Sequence, residues 1–291
     1  MPELPEVETI ARGLREIVGR RIVGVEVRWA RSIVEMDPAT FAQRLRCKRI
    51  RGVGRRGKWL VLSLERNDRL LIHLRMSGRL VLGPAETETD RYTRVILALD
   101  DERWLRFSDP RKFGRMVLTT NPDEVLGDLG PEPLEAGFTP QRLEDMLAGR
   151  RARLKSLLLN QRFLAGLGNI YADEALWRAR LHPLRQPGTL SREEMARLHR
   201  AIRQVLTEAI ARRGTTLEDR QYVRPDGRPG DFAARLAVYR RTGRPCPRCG
   251  ALIERIVVSG RGTHFCPQCQ QEPTTPPQAR GLVPDLERCR T

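Results

Sequence analysis

The chain has no run of 18 apolar residues, and its first residues do not pair a basic stretch with an apolar one. A membrane-spanning helix needs about 20 consecutive apolar residues, and a secretory leader needs that two-part beginning. Neither membrane insertion nor secretion is therefore expected. No internal repeat is visible. Lysine is almost missing. Of 53 basic residues only Lys48, Lys58, Lys112 and Lys155 are lysines, and the rest are arginines. A bias toward arginine accounts for most of this. Arginine cannot lose its proton in a protein, however, whereas lysine can become a neutral amine. Lys58 and Lys155 are thus positions where a titratable or compact cation is worth explaining.

What is present bounds the rest. A 40% hydrophobic content is that of a folded globule, and 291 residues suffice for two ordinary domains. The net charge of +17 calls for a polyanionic partner, nucleic acid first and anionic membrane second.

"PEVETIARGLREIVGRR" predicts a helix, with Pro5 in its first turn, Glu6 and Glu8 at the positive end of the dipole, and Val7, Ile10, Leu14, Ile17 and Val18 on one face. From there to about Thr120 short β-rich runs follow one another, "RIVGVEVRW", "KWLVLSLE", "RLLIHLRM", "RLVLG", "RVILALD", "RWLRFSD" and "GRMVLTT". Their spacing and turn residues predict an antiparallel sandwich or barrel. "NPDEVLGDLGPEPLEAGFTP" is the expected domain boundary. Helical periods follow in "PQRLEDMLAG", "RARLKSLLLNQ", "NIYADEALWRARL" and "SREEMARLHRAIRQVLTEAIARRG", the last opening on a Ser191–Glu194 capping box. The fold class is α+β, with expected domains at 1–130, 131–236 and 237–271 and a disordered Pro-rich tail at 272–291.

Cys246-Pro-Arg-Cys249 and Cys266-Pro-Gln-Cys269 are two C-x-x-C pairs with 16 residues between them. Each pair offers two thiolates from one turn, and together they complete a closed tetrahedral zinc site; two structural disulfides are the weaker reading. Cys47 and Cys289 are left over. Between the pairs, "ALIERIVVSGRGTHF" reads as a hairpin turning at "SGRG" and carrying Arg261, which a solvated turn arginine would also explain. His264 reads as packing or surface.

"PELPEVET", "DPRKFG" at 109–114, "GLGNIYADEALW" at 166–177 and the cysteine module, in that order, closely resemble bacterial formamidopyrimidine-DNA glycosylases. The resemblance runs from Pro2 to about Gln271. It implies an N-terminal β-sandwich, a helix–two-turn–helix domain and a zinc finger holding one structural Zn²⁺. It also implies a monomeric, cytoplasmic enzyme that binds duplex DNA with oxidised bases or abasic sites.

The resemblance further implies roles by position. Pro2, exposed once Met1 is removed, is the nucleophile. A terminal amine titrates near about 8 against about 10.4 for lysine, and a secondary amine leads directly to an iminium. Glu3 is the general acid, and Glu6 supports the terminus. Lys58 transfers protons and binds phosphate, and Arg261 grips the lesion phosphate. Lys155 and Asn169 contact phosphate, with Arg151 nearby. Met76, Arg111 and Phe113 fill the hole left by an extruded nucleotide. By residue type alone, Met76 and Phe113 would be core. His73 lies near phosphates, and Tyr92 or Arg94 stands where the family commonly has histidines. The loop "LEDRQYVRP" departs from the family form, which leaves lesion preference less determined than the reaction. The alternatives are an endonuclease VIII-like enzyme for oxidised pyrimidines and a zinc-dependent damaged-DNA-binding protein without turnover.

Removing the metal should abolish DNA binding, because the hairpin carrying Arg261 is folded by it. Chelation followed by an electrophoretic shift assay checks this, and full binding after verified metal loss would contradict it.

Overall fold

The computed structural model describes residues 1–272. The expected 272–291 tail therefore lies, from residue 273 on, outside the described residues, and so does Cys289. The first helix, α1 (Leu4–Gly13), starts where proline and capping chemistry place it. Pro5 sits in its first turn, and the Glu6 carboxylate takes the Glu3 N–H at 2.8 Å. A 3-10 turn over Leu14–Ile17 continues it. Val7, Ile10, Leu14 and Ile17 are buried in one core, whereas Leu4 belongs to a second, helical one. Val18 departs from the expected face. It is 43% exposed, because the chain leaves the 3-10 turn there in an extended conformation.

Nine strands follow: β1 (Ile22–Val27), β2 (Ile33–Val34), β3 (Ile50–Arg56), β4 (Trp59–Leu64), β5 (Arg69–His73), β6 (Arg79–Pro84), β7 (Thr93–Leu99), β8 (Arg103–Ser108) and β9 (Arg115–Thr119). They form two sheets, ordered β1-β7-β8-β6 and β2-β9-β5-β4-β3, so a sandwich and not a single closed barrel. All pairs are antiparallel except the short β2–β9 pair, Ile33 against Met116. Alternation sets the inner faces; in β4, Leu60, Leu62 and Leu64 point inward.

Strand β2 was not expected from sequence, and neither were two longer elements. Helix α2 (Pro38–Leu45) is capped by Asp37, which accepts from the N–H groups of Ala39 and Thr40. Strand β3 carries Gly52, Gly54 and arginines in place of apolar alternation. It is an edge strand with a register shift near its start, where such residues are tolerated.

Helices α3 (Asp123–Leu126), α4 (Pro140–Leu147), α5 (Leu154–Leu159), α6 (Asn169–Ala179) and α7 (Arg192–Ala211) build the second region. The Ser191–Glu194 capping box forms as read, with Glu194 N–H donating to Ser191 Oγ at 3.2 Å. Helix α6 is buried on nearly every side, as a central helix must be. The hairpin β10 (Glu254–Val258) and β11 (Arg261–Phe265) ends the described fold. Its two-residue turn is Ser259–Gly260, both at positive φ, so Arg261 opens a strand instead of standing inside the turn. Among the described residues no helix is long and apolar enough to cross a membrane.

Leu4 is wholly buried against the helical core while its helix packs on the sandwich. Leu4→Ala should lower unfolding free energy by about 2–5 kcal/mol. Urea unfolding measures this, and a loss below about 1 kcal/mol would show that the chain start is not part of the helical core.

Candidate active site and nucleic-acid interface

The N-terminal segment ends against the start of α6. That helix has glycine at its N-cap and no side-chain cap of its own. Glu3 supplies one from the far end of the chain. Its carboxylate accepts from Gly168 N–H at 2.8 Å, Ile170 N–H at 2.9 Å and Tyr171 N–H at 3.3 Å. Free N–H groups and the positive helix end both favour an anion there. The approach is close enough to explain "GLGN". A Cβ on Gly168 would lie 2.4 Å from Glu3 Cδ, and one on Gly166, at φ +90°, would lie 2.6 Å from Leu4.

Glu6 lies one turn on, also buried. It accepts from Glu3 N–H, from Thr215 N–H at 2.7 Å and from the Tyr171 hydroxyl. Burial, then the Glu3 charge beside it, push its carboxyl up to about 7. The two carboxylates thus have different work. Glu3 faces a cleft, whereas Glu6 ties α1 to α6 and to the segment after α7.

The cleft, of about 260 Å³, gathers six of the expected residues together with Met1. Met1, Glu3, Lys58, Met76, Arg111, Asn169 and Arg261 all line it. Pro2 is buried between Met1 and Glu3, which both line the cleft. Lys58 is buried, and among the described residues its ammonium has no ion-pair partner within 4.0 Å. Burial lowers its pKa, which the charges of Glu3 and Glu6 oppose. Its turn is held from below by Glu132, which accepts from Gly57 N–H at 2.5 Å, Arg55 at 2.6 Å and Arg56 at 3.0 Å. Arg261 is exposed at the cleft, and Asn169 donates to Gly262 O at 2.8 Å, drawing the finger strand against α6.

Two loops rise beside the cleft, and one buried carboxylate braces both. Asp109 accepts from Ser77 Oγ at 2.5 Å, from Arg111 N–H at 3.2 Å and from Gly114 N–H at 2.7 Å. Met76 and Arg111 are thereby presented together. Phe113 is 46% exposed, with the Arg111 guanidinium 5.0 Å from its ring centre. Neither Met76 nor Phe113 is core. A Cβ on Gly114 would collide with Phe107 at 2.2 Å, which accounts for the glycine after it. His73 accepts the Arg75 N–H on Nδ1 at 3.0 Å, leaving Nε2 as the donor. Burial first, then Arg75 and Lys58, push it down to about 3, so it is neutral.

Other expected residues lie elsewhere. Tyr92 is outside the cleft and stacks with Arg91, while Arg151 is exposed on the approach to α5. Lys155 requires a correction. It is fully buried, and its ammonium donates to Asp173 and to Asn169 O at 3.2 Å instead of facing the surface as a phosphate contact would. Its charge is consumed inside the protein. Asp173 also accepts His264 N–H at 3.0 Å and faces His264 Nδ1 at 3.1 Å, so this cluster fastens the finger to α6. Its neighbour Glu174 accepts from the N–H groups of Ala237, Val238 and Tyr239 at 2.9 to 3.1 Å. These acids, with Glu132 and Asp109, were not singled out from sequence. The available signal was two adjacent acids inside an otherwise apolar helix.

Cys246, Cys249, Cys266 and Cys269 bring their sulfurs within 4.8 Å of one another. The pairs Cys246–Cys269 and Cys249–Cys266 are 4.0 and 3.4 Å apart, close to the about 3.8 Å edge of a tetrahedron with Zn–S bonds of about 2.3 Å. Trp177 Nε1–H reaches Cys246 Sγ at 3.4 Å, as suits a thiolate ligand. The four sulfurs hold one structural zinc and leave no open position.

Three family models match in sequence order. The formamidopyrimidine-DNA glycosylase N-terminal domain matches residues 1–116, the H2TH domain of those enzymes residues 129–221, and the zinc finger found in FPG and IleRS residues 243–271. The formamidopyrimidine-DNA glycosylase of Symbiobacterium thermophilum is 49% identical, with the match covering 94% of this chain and 90% of its own. The MutM (Fpg) structure of Thermus thermophilus superposes with a TM-score of 0.85 at 46% identity, covering 93% and 99% of the two chains. A Lactococcus lactis FPG point mutant, solved with DNA containing Fapy-dG, gives 0.87 at 35% identity, covering 93% and 100%. With the carboxylate-capped chain start, the cleft and the four-sulfur finger in place, these likenesses make the chain a member of the formamidopyrimidine-DNA glycosylase family.

Proposed function

We propose that this chain excises oxidised purines, 8-oxoguanine and formamidopyrimidines, from duplex DNA and then cuts the strand at the resulting abasic site. The observation that carries this reading is the convergence of the Pro2 segment, Glu3, Lys58 and Arg261 on one cleft. The Fapy-dG in the Lactococcus complex supports the substrate class. The setting is base-excision repair by a monomer, in the cytoplasm with the chromosomal DNA.

With Met1 removed, the Pro2 lone pair attacks C1′ of the damaged nucleotide, and the bond to the base breaks. The Glu3 carboxylate takes the proton that the attacking amine releases and passes it to the sugar ring oxygen as the ring opens, leaving an iminium on Pro2, while the departing base takes its proton from water. Loss of a proton from C2′ expels the 3′ phosphate, and a second elimination expels the 5′ phosphate. Water then hydrolyses the iminium and frees Pro2. Lys58, lacking an ion-pair partner and with a lowered pKa, is suited to carry protons in the elimination. Arg261, exposed at the rim, suits the phosphate as a planar donor fork. Asn169 and His73 Nε2 offer further N–H donors near the path. Met76 and Arg111, with Phe113, occupy the space an extruded nucleotide leaves. Lys155 acts from inside, through Asp173. Tyr92 and Arg151 serve as outer contacts. The zinc holds the hairpin and supplies no reaction step.

Borohydride reduction on a duplex containing 8-oxoguanine should trap a covalent adduct. An N-terminal extension that keeps Pro2 acylated should remove it. No adduct on oxidised-purine, oxidised-pyrimidine or abasic duplexes would overturn the enzymatic reading.

Glu6 adds a pH dependence. Its native carboxyl titrates near 7 against 4.5 unperturbed, so between those values the native state binds the extra proton. Stability from this group is complete below about pH 4.5 and falls as pH rises to about 7. In urea unfolding, the stability of wild type minus that of Glu6→Gln should shrink across that window; a difference that grows would show the opposite shift.

A further inference from the structure

Arg240 stands in a left-handed backbone conformation, φ 56°, where glycine would be free of strain. Its backbone is held rigidly. The three preceding N–H groups donate to the Glu174 carboxylate on α6, and Arg241 N–H donates to Val238 O at 3.0 Å. From this fixed post its guanidinium reaches the cleft and donates to Asp219 at 3.2 Å.

Asp219 lies on a different kind of element. Leu217, Asp219 and Gln221 form one wall of the cleft without regular secondary structure. The foot of this wall is tied firmly. Thr216 Oγ donates to Tyr222 O at 2.9 Å and accepts Gly230 N–H at 2.8 Å. The Tyr222 ring is buried in the sandwich core, its hydroxyl donating to Arg213 O at 2.9 Å. Between those ties, among the described residues, Asp219–Arg240 is the one hydrogen-bonded link from residues 218–221 to a rigid part of the molecule. Both side chains are over a third exposed or close to it, so the pair contributes little to folding. Other arginines share this backbone conformation, and what sets Arg240 apart is its link to the wall of the cleft.

We propose that Arg240 and Asp219 form a clasp that sets the 217–221 wall against whatever fills the cleft, and so act as positioning residues that favour nucleotides still carrying a base. A base fills the cleft and meets the wall; an abasic sugar does not. This rests on the proposed excision activity for its consequence, although the clasp itself does not.

The test uses the full chain with Asp219→Asn, Arg240→Gly (which relieves the backbone) and the charge-swapped pair Asp219→Arg with Arg240→Asp. Without DNA, amide hydrogen exchange over 217–221 should be at least about fivefold faster in each single variant and slow again in the swapped pair. With DNA, kcat/KM on 8-oxoguanine duplexes should fall about tenfold in the single variants, cleavage of abasic duplexes should stay within about twofold, and the swapped pair should recover most of the loss. Unchanged exchange, or equal losses on both substrates, would overturn the clasp. A wild type that acts on neither duplex would sink the excision reading, while the exchange comparison would still decide the clasp.

Discussion

A carboxylate brought to an uncapped helix start organises this molecule. Helix α6 opens on glycine and exposes N–H groups that nothing nearby in sequence satisfies. Glu3, more than 160 residues away, satisfies three of them. Buried donors without partners are costly, and a buried carboxylate without donors is costlier still, so each end requires the other. The interaction therefore joins the sandwich to the helical region and immobilises a chain terminus. Termini usually fray, and this one is held.

The same helix carries the remaining connections in order along its length. Asp173 takes Lys155 on one side and His264 on the other; Glu174 gathers three consecutive backbone N–H groups; Trp177 meets a cysteine ligand. Each acid is buried and fully engaged, which is the condition under which buried charge is tolerable. A structural metal in the last module is thus linked through one rigid rod to the first residues of the chain. The cleft lies at the start of this rod, where Glu3, Gly168, Asn169 and Arg261 come together.

Much of this could be read from sequence because local chemistry and tertiary need agree. Pro5 with Glu6 marked a helix start, Ser191 with Glu194 marked another, alternation marked β4, and the cysteine spacing marked the metal. Where the two part company, reading failed. Strand β3 is an edge, so its glycines and arginines obey solvent exposure and not alternation. Helix α2 is short, announced by Asp37 and Pro38 alone. Lys155 was expected to contact phosphate from the family resemblance, and the fact that bears on it, Asp173 facing it, depends on how α5 meets α6. The clasp was invisible for the same reason: Arg240 and Asp219 belong to segments whose proximity is set by Tyr222 and Glu174, not by any pattern.

Asp109 has a mechanical consequence. A single carboxylate accepts from both the Ser77 and the Arg111 loops, so the tips bearing Met76 and Arg111 share one hinge. They cannot probe independently. On the proposed reading, base pairs are interrogated by a rigid two-pronged tool that is wholly in or wholly out, which concentrates the work of unstacking into one step and leaves half-inserted states unsupported.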